Sequence, residues 1–188
     1  ALEMLIESLD DSDERVVRYA AVALGRLGKE SSIKYLEPLL DHENKDIRYA
    51  AVEGLSGTCS YKAVDAVARC LRDPDWVVRM TAACGLGEIA SRTCVDPLLE
   101  ALSDSEWSVR RHAALSLGRV GIKKRAVDAL LMLLDDAKEL VRSGAAQALG
   151  DLEAEEAIPR LEEMLDDDDP KVVAAVEDAL MKLGVEFE

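Results

Sequence analysis

The chain has 188 residues, a net charge of −15 at pH 7, and one Phe, two Trp and four Tyr. That acidity argues against a phosphate-backbone ligand, which needs a basic track, so no nucleic acid is expected. The apolar stretches are too short to span a bilayer, so no membrane partner is expected. Four cysteines without a CxxC pair, and only two histidines, argue against a clustered zinc site; reduced thiols in a cytoplasmic protein, with no metal and no cofactor, are expected.

Leu9, Leu40, Leu71, Leu102, Leu134 and Leu165 recur at intervals of 31, 31, 31, 32 and 31 residues. A fixed period of this size marks a solenoid, whose units bury their apolar faces only by stacking on their neighbours. One all-α domain, 1–188, is predicted, with repeats 1–32, 33–62, 63–93, 94–124, 125–156 and 157–188. Each is read as a helical hairpin with a polar turn.

In the first repeat the opening helix starts at Ala1 with no capping residue, which leads us to expect further repeats upstream. After its acidic turn comes the recurring segment VVRYAAVALGRLG, Val16 to Gly28. In the second repeat Pro38 lies inside the first helix and predicts a kink or an early end. The third offers Asp73 as a cap with Pro74 directly behind it. The fourth is the clearest: Val95, Leu98, Leu99 and Leu102 form one apolar stripe, and Pro97 sits in the first turn. Asp104 and Ser105 are candidate caps, and Trp107 to about Arg119 is the second helix, ended by Gly121. The sixth opens its turn with the run Asp166 to Asp169. That run lacks the spaced ligands and the glycine of an EF-hand loop and reads as a solvated turn. Net charge is zero over 63–93, +1 over 94–124, −5 over 125–156 and −7 over 157–188. The acidic end reads as a solubilising cap.

Two columns run through the repeats. An Arg follows the apolar anchor as Arg48, Arg79, Arg110 and Arg142, with Val17 and Val173 in the terminal repeats. Recurring acidic residues at Asp65, Asp96 and Asp128, and at Asp73, Asp104 and Asp136, are the expected partners in a structural ladder of Arg–carboxylate bridges. A small residue recurs as Gly25, Gly87, Gly118 and Gly150, replaced by Ser56 and Met181. At 100° per residue, Val109, Ala113 and Val120 face the core, and Arg111, Leu115 and Gly118 lie opposite, flanked by His112. Repeats two to four thereby offer Tyr49, Trp76, Met80, Trp107, Arg111, His112 and Leu115 as a binding patch, rich in the residue types of interface cores. Trp76 and Trp107 either face outward or fold back over their own turns.

The pattern VxxLxxxLxDxxxxVRxxAAxxLGxxG, repeated six times, resembles the HEAT-like repeats named after phycobilisome lyases. The resemblance implies a right-handed α-solenoid of six stacked hairpins, with second helices lining a concave surface. It also implies a choice of functions, since the family includes bilin lyases, a di-iron hydroxylase, DNA glycosylase relatives and engineered binding repeats. The hydroxylase branch needs repeated His-Glu pairs, and this chain has only His42-Glu43, in a turn. No nucleophile with an adjacent base is evident, so no catalytic residue is assigned. The reading is a monomeric, non-enzymatic scaffold that binds a protein or peptide on the concave second-helix face. The alternative is a bilin lyase-type enzyme or accessory subunit holding a tetrapyrrole in the groove.

Overall fold

The structure, a computed structural model, describes residues 2–186, so the expectation about a helix start at Ala1 lies outside the described residues. Among the described residues there are twelve α-helices and no strand. They fall into two compact units of three hairpins, Ala1–Cys94 and Val95–Glu188. In the first unit the hairpins are α1 (Leu2–Glu7) with α2 (Glu14–Arg26), α3 (Ile33–Leu36) with α4 (Lys45–Gly57), and α5 (Val64–Arg69) with α6 (Trp76–Ile89). In the second they are α7 (Val95–Ala101) with α8 (Trp107–Val120), α9 (Lys123–Leu133) with α10 (Glu139–Asp151), and α11 (Ile158–Glu163) with α12 (Pro170–Lys182). Several first helices are short and run on into a 3-10 turn. The expected early end near Pro38 is seen here: α3 stops at Leu36 and Glu37–Asp41 is a 3-10 turn, with Glu37 itself keeping right-handed helical angles, and proline bringing no amide hydrogen to the α-helical ladder.

The second helices carry the stack. In the first unit α2 packs on α4 and α4 on α6; in the second, α8 packs on α10 and α10 on α12. One leucine per repeat fills the same place on each: Leu24, Leu55, Leu86, Leu117, Leu149 and Leu180, all buried. Val109 and Ala113 are buried as expected, and so is Leu117, whereas Val120 at the end of α8 is only half-buried. Gly118 is not on an outward face, however. It is buried, and a Cβ there would lie 3.1 Å from Ala148 Cα of α10. A helical wheel drawn against a single core misses this contact, because α8 packs on α10 as well as on its own first helix α7.

Small residues set how closely these helices approach. A Cβ on Gly25 would sit 2.3 Å from Gly54 O, and one on Gly150 would sit 2.9 Å from Ala179 Cα. In the second repeat the small residue is Ser56 rather than glycine. Its partner on α6 is Gly85, where an added Cβ would lie 1.9 Å from Ser56 Oγ. The larger side chain on one helix is thus matched by a missing one on the next. Met181, at the same position of α12, is exposed.

The helix ends repeat as strictly. The residues after the second helices at Gly28, Cys59, Ala90, Gly121, Glu153 and Gly184 all have positive φ, between 50° and 81°. At Glu153 the Glu153 amide bonds to Gly150 O and the Ala154 amide to Leu149 O, which satisfies two terminal carbonyls. Three of the six positions therefore place a side chain in the left-handed region that glycine occupies without cost.

Caps and turns correct the sequence reading. The N-caps are Asp13, Asn44, Asp75, Glu106, Lys138 and Asp169, not Asp104 or Ser105. Asp73 and Asp104 stand two residues earlier and accept the N-cap amides at 2.8 Å. Asp11, His42 (through Nδ1), Asp136 and Asp167 do the same in their own repeats. The short polar side chain folds onto the backbone two residues on, and this fixes the turn.

These turn residues, and not Asp65, Asp96 and Asp128, take the arginines. Arg48 donates Nε and Nη2 to Asp73 at 2.7 and 2.8 Å, and Arg110 does so to Asp136 at 2.7 and 2.9 Å. Arg142 does so to Asp167 at 2.8 Å for both bonds. In each case Nη1 turns back to carbonyls of the arginine's own turn, such as His42 O for Arg48 and Asp104 O for Arg110. Arg79 holds its own turn in the same way, through Asp73 O and Pro74 O. Asp65, Asp96 and Asp128 are exposed on the first helices, away from the turns where the guanidinium groups emerge; Asp96 pairs with Arg125 instead. The run Asp166 to Asp169 is accordingly more than a solvated turn, since Asp167 receives Arg142 and Asp169 caps α12.

Three outcomes are expected. Gly118→Leu should destabilise the fold by about 1–3 kcal/mol through overpacking on α10, whereas exposed Arg119→Ala should change it by about 0.5 kcal/mol or less; equal melting temperatures would contradict the close approach. Glu153→Gly should raise stability by about 1 kcal/mol by removing a left-handed side-chain conformation, and Glu153→Ala, compared by the same thermal denaturation, should not. Arg110→Ala and Arg142→Ala should each cost about 1–3 kcal/mol, since a partly buried carboxylate loses its partner. Arg142 holds the Asp167 carboxyl below its usual range, with the Asp169 amide assisting against burial. A depressed folded pKa means the pair's contribution is complete above the unfolded carboxyl value of about 3.9 and is lost as pH falls through the folded one. In urea denaturation, the gap between the unmodified chain and Arg142→Ala should therefore close on acidification.

Candidate functional site

On each second helix the first, fifth and ninth helical positions form one face that the stack leaves exposed or half-buried. In the first unit these are Glu14, Arg18 and Val22 on α2, Lys45, Tyr49 and Glu53 on α4, and Trp76, Met80 and Cys84 on α6. In the second they are Trp107, Arg111 and Leu115 on α8, Glu139, Ser143 and Gln147 on α10, and Pro170, Ala174 and Asp178 on α12. Spacing of four residues puts each trio on one face.

Trp76 opens α6 and is 45% exposed, so its ring is not folded away into its own hairpin. Met80, one turn on, is half-buried. Tyr49 is half-buried on the neighbouring helix α4. Burial and the adjacent Glu53 carboxylate push its phenol above the usual value, and Cys84 of α6 lies near enough to contribute. These three predicted residues therefore share one face of the first unit. Lys45 reaches from α4 to the α6 N-cap, with Nζ 2.9 Å from Asp75 Oδ2, and so belongs to the scaffold.

In the second unit Trp107, Arg111, His112 and Leu115 all stand on α8 and are half-buried. His112 Nδ1 lies 2.7 Å from Ser108 O one turn back, which ties the ring to its own helix. The stem of Arg111 lies over Gly144 of α10, where a Cβ would be 3.1 Å from Arg111 Cγ and 3.9 Å from Leu115 Cγ. Arg111 Nε is buried without a hydrogen-bond partner.

One feature escaped the sequence reading, which centred on repeats two to four. Between α2 and α4 of the first unit lies an open groove of about 350 Å³, lined by Arg18, Tyr19, Val22, Arg26, Tyr49 and Glu53 among others. Tyr19 is 74% exposed. The columns already contained Arg18 and Val22, but the groove between the helices is a property of their packing.

The thiols offer little chemistry. Burial pushes Cys70 up to about 11 and also raises Cys94, so neither is a ready nucleophile. Among the described residues no group of His, Cys, Asp and Glu is arranged to hold a metal ion. Nor is any helix among the described residues long and apolar enough to cross a membrane.

None of the curated proteins matches the chain. Among solved structures it is similar to the complex of CpcE and CpcF of phycocyanin lyase from Nostoc sp. PCC7120. That match has 23% identity and a TM-score of 0.73, and it covers 98% of this chain and 77% of that one. It is also similar to a designed armadillo repeat protein in complex with the peptide (KR)4, at 20% identity and a TM-score of 0.68, covering 97% and 99% of the two chains. An engineered protein matches at 24% identity and a TM-score of 0.67, over 97% and 98%. Identities this low show a shared fold. The family profile for HEAT repeats matches residues 1–56, 36–100, 64–150 and 95–181, and with hairpin, turn clamp and close helix approach recurring at the same period, the chain belongs to the HEAT-repeat family.

Proposed function

We propose that the chain is a non-enzymatic scaffold that binds a protein or peptide along the exposed stripe of its second helices. The observation that carries this reading is Trp76, a large aromatic 45% exposed at the head of the Met80 and Cys84 stripe. Leaving such a ring in water forgoes the gain of burying it, about 25 cal/mol per Å², and aromatic, Met and Arg side chains are the types enriched at interface centres. In the second unit Trp107, Arg111 and Leu115 offer the same chemistry. The fold can hold a peptide, as the designed armadillo repeat protein with (KR)4 does.

The test is selection of peptides from a random display library on the full chain, followed by affinity measurements. Trp76→Ala and Trp107→Ala should each cost about 2 kcal/mol of binding with an unchanged circular dichroism melt. Asp168→Ala, in the acidic sixth repeat, should act only through screened long-range charge. Loss of binding in the Asp168 variant but not in the Trp variants would move the site to the acidic end. Stoichiometric binding of a bilin in a visible-absorbance titration, with no peptide selected, would overturn the scaffold reading in favour of a lyase-type groove.

A further inference from the structure

The same three-residue pattern stands on one second helix in each unit. α2 carries Arg18, Val22 and Arg26, and α8 carries Arg111, Leu115 and Arg119, each set spaced by four residues. The other second helices have no such Arg–apolar–Arg stripe. These arginines are not spent on the scaffold. Arg18 makes only a loose 3.7 Å contact with Asp46, with both side chains largely exposed. Arg26 and Arg119 are exposed and make no ion pair among the described residues. Arg111 has its stem seated over Gly144 and its Nε unpartnered. Elsewhere the chain pairs its arginines closely, as at Arg48, Arg110 and Arg142.

The spacing of the stripe fits one kind of occupant. Four helical residues advance about 6 Å along the axis. Alternate side chains of an extended peptide, which point to one face, advance about 6.6 Å. An extended strand laid along α2 or α8 therefore meets Arg, apolar residue and Arg with its residues i, i+2 and i+4. Arginine pairs with carboxylates through two parallel hydrogen bonds. On α2 the strand would lie in the groove beside Tyr19 and Tyr49, whose rings supply walls. In that groove Glu53 is the one carboxylate set against two arginines, and the rest of the net charge of −15 acts on an acidic ligand mainly at long range, since the screening length at physiological salt is about 8 Å. Residues 1–94 carry only −4 of that charge.

We propose that the second helices α2 and α8 each recognise an extended acidic peptide of the pattern acidic–x–apolar–x–acidic. This rests on the reading of the chain as a peptide-binding scaffold and names the chemistry of its partner.

The probe is the peptide Gly-Glu-Ser-Leu-Ser-Glu-Gly, blocked at both ends and titrated calorimetrically into the full chain at physiological salt. Two equivalents should bind. Replacing both glutamates by glutamine, or moving them next to each other, should weaken binding about tenfold or more, because charge-assisted bonds are lost. Arg18→Gln with Arg26→Gln should remove one equivalent, and Arg111→Gln with Arg119→Gln the other, with unchanged melting curves. Equal affinity for the glutamine peptide, or unchanged binding by the fourfold variant, overturns the proposal. So does a lysine version of the peptide that binds better and ignores the arginine variants. If library peptides without the acidic pattern bind through Trp76, this inference fails alone; if no peptide binds at all, the scaffold reading fails with it.

Discussion

Arg48, Arg110 and Arg142 each make two attachments at once. One edge of the guanidinium takes the carboxylate of the following turn, and the remaining nitrogen holds carbonyls of the arginine's own turn. The receiving Asp is itself pinned, because it accepts the amide of the N-cap two residues on. One planar, rigid fork therefore couples the shape of a turn to the position of the next repeat. Charge and geometry agree in this arrangement. The Arg48–Asp73 pair is only 12% and 7% exposed, where solvent screening is weak and misalignment would strand a buried charge. The first repeat departs on both sides of the pair together: Val17 replaces the arginine and is buried, and His42 replaces the aspartate. A lone arginine or a lone aspartate there would have lacked its partner.

The second constraint is steric. Where Gly25 meets Gly54 the two backbones touch, and where Ser56 intrudes, Gly85 makes room. On the second helices one buried leucine per repeat fills the interior, while Ala, Gly and Ser set the separation between neighbouring second helices. This explains a core of so few aromatics. Large rings at the contact positions would hold the helices apart, and the turns carrying the Arg–Asp pairs would no longer align.

The proposed binding stripe lies in what these two constraints leave free. The stripe at the first, fifth and ninth positions varies in residue type between repeats, while the leucine and the turn residue hardly do and the helix end keeps its left-handed conformation. That contrast is why Trp76, Met80, Arg18 and Arg111 stand out. Each places a large or charged side chain where the fold asks for none.

The period of 31 residues, the hairpins, the early stop before Pro38 and the left-handed end at Gly121 were legible from the sequence alone, because they depend on local spacing and on the backbone limits of proline and glycine. The arginine column was legible as well, and Asp73 and Asp136 were among its expected partners, but which of the two acidic columns it meets was not. Asp65, Asp96 and Asp128 recur as regularly as Asp73, Asp136 and Asp167, and periodicity gives every column equal weight. Which carboxylate a guanidinium reaches depends on where the next turn lies in space, and only the packed structure decides that. The burial of Gly118, the Ser56–Gly85 fit and the groove between α2 and α4 belong with it. Each arises from the distance between two helices about thirty residues apart in the chain, a quantity set by the side chains of both at once.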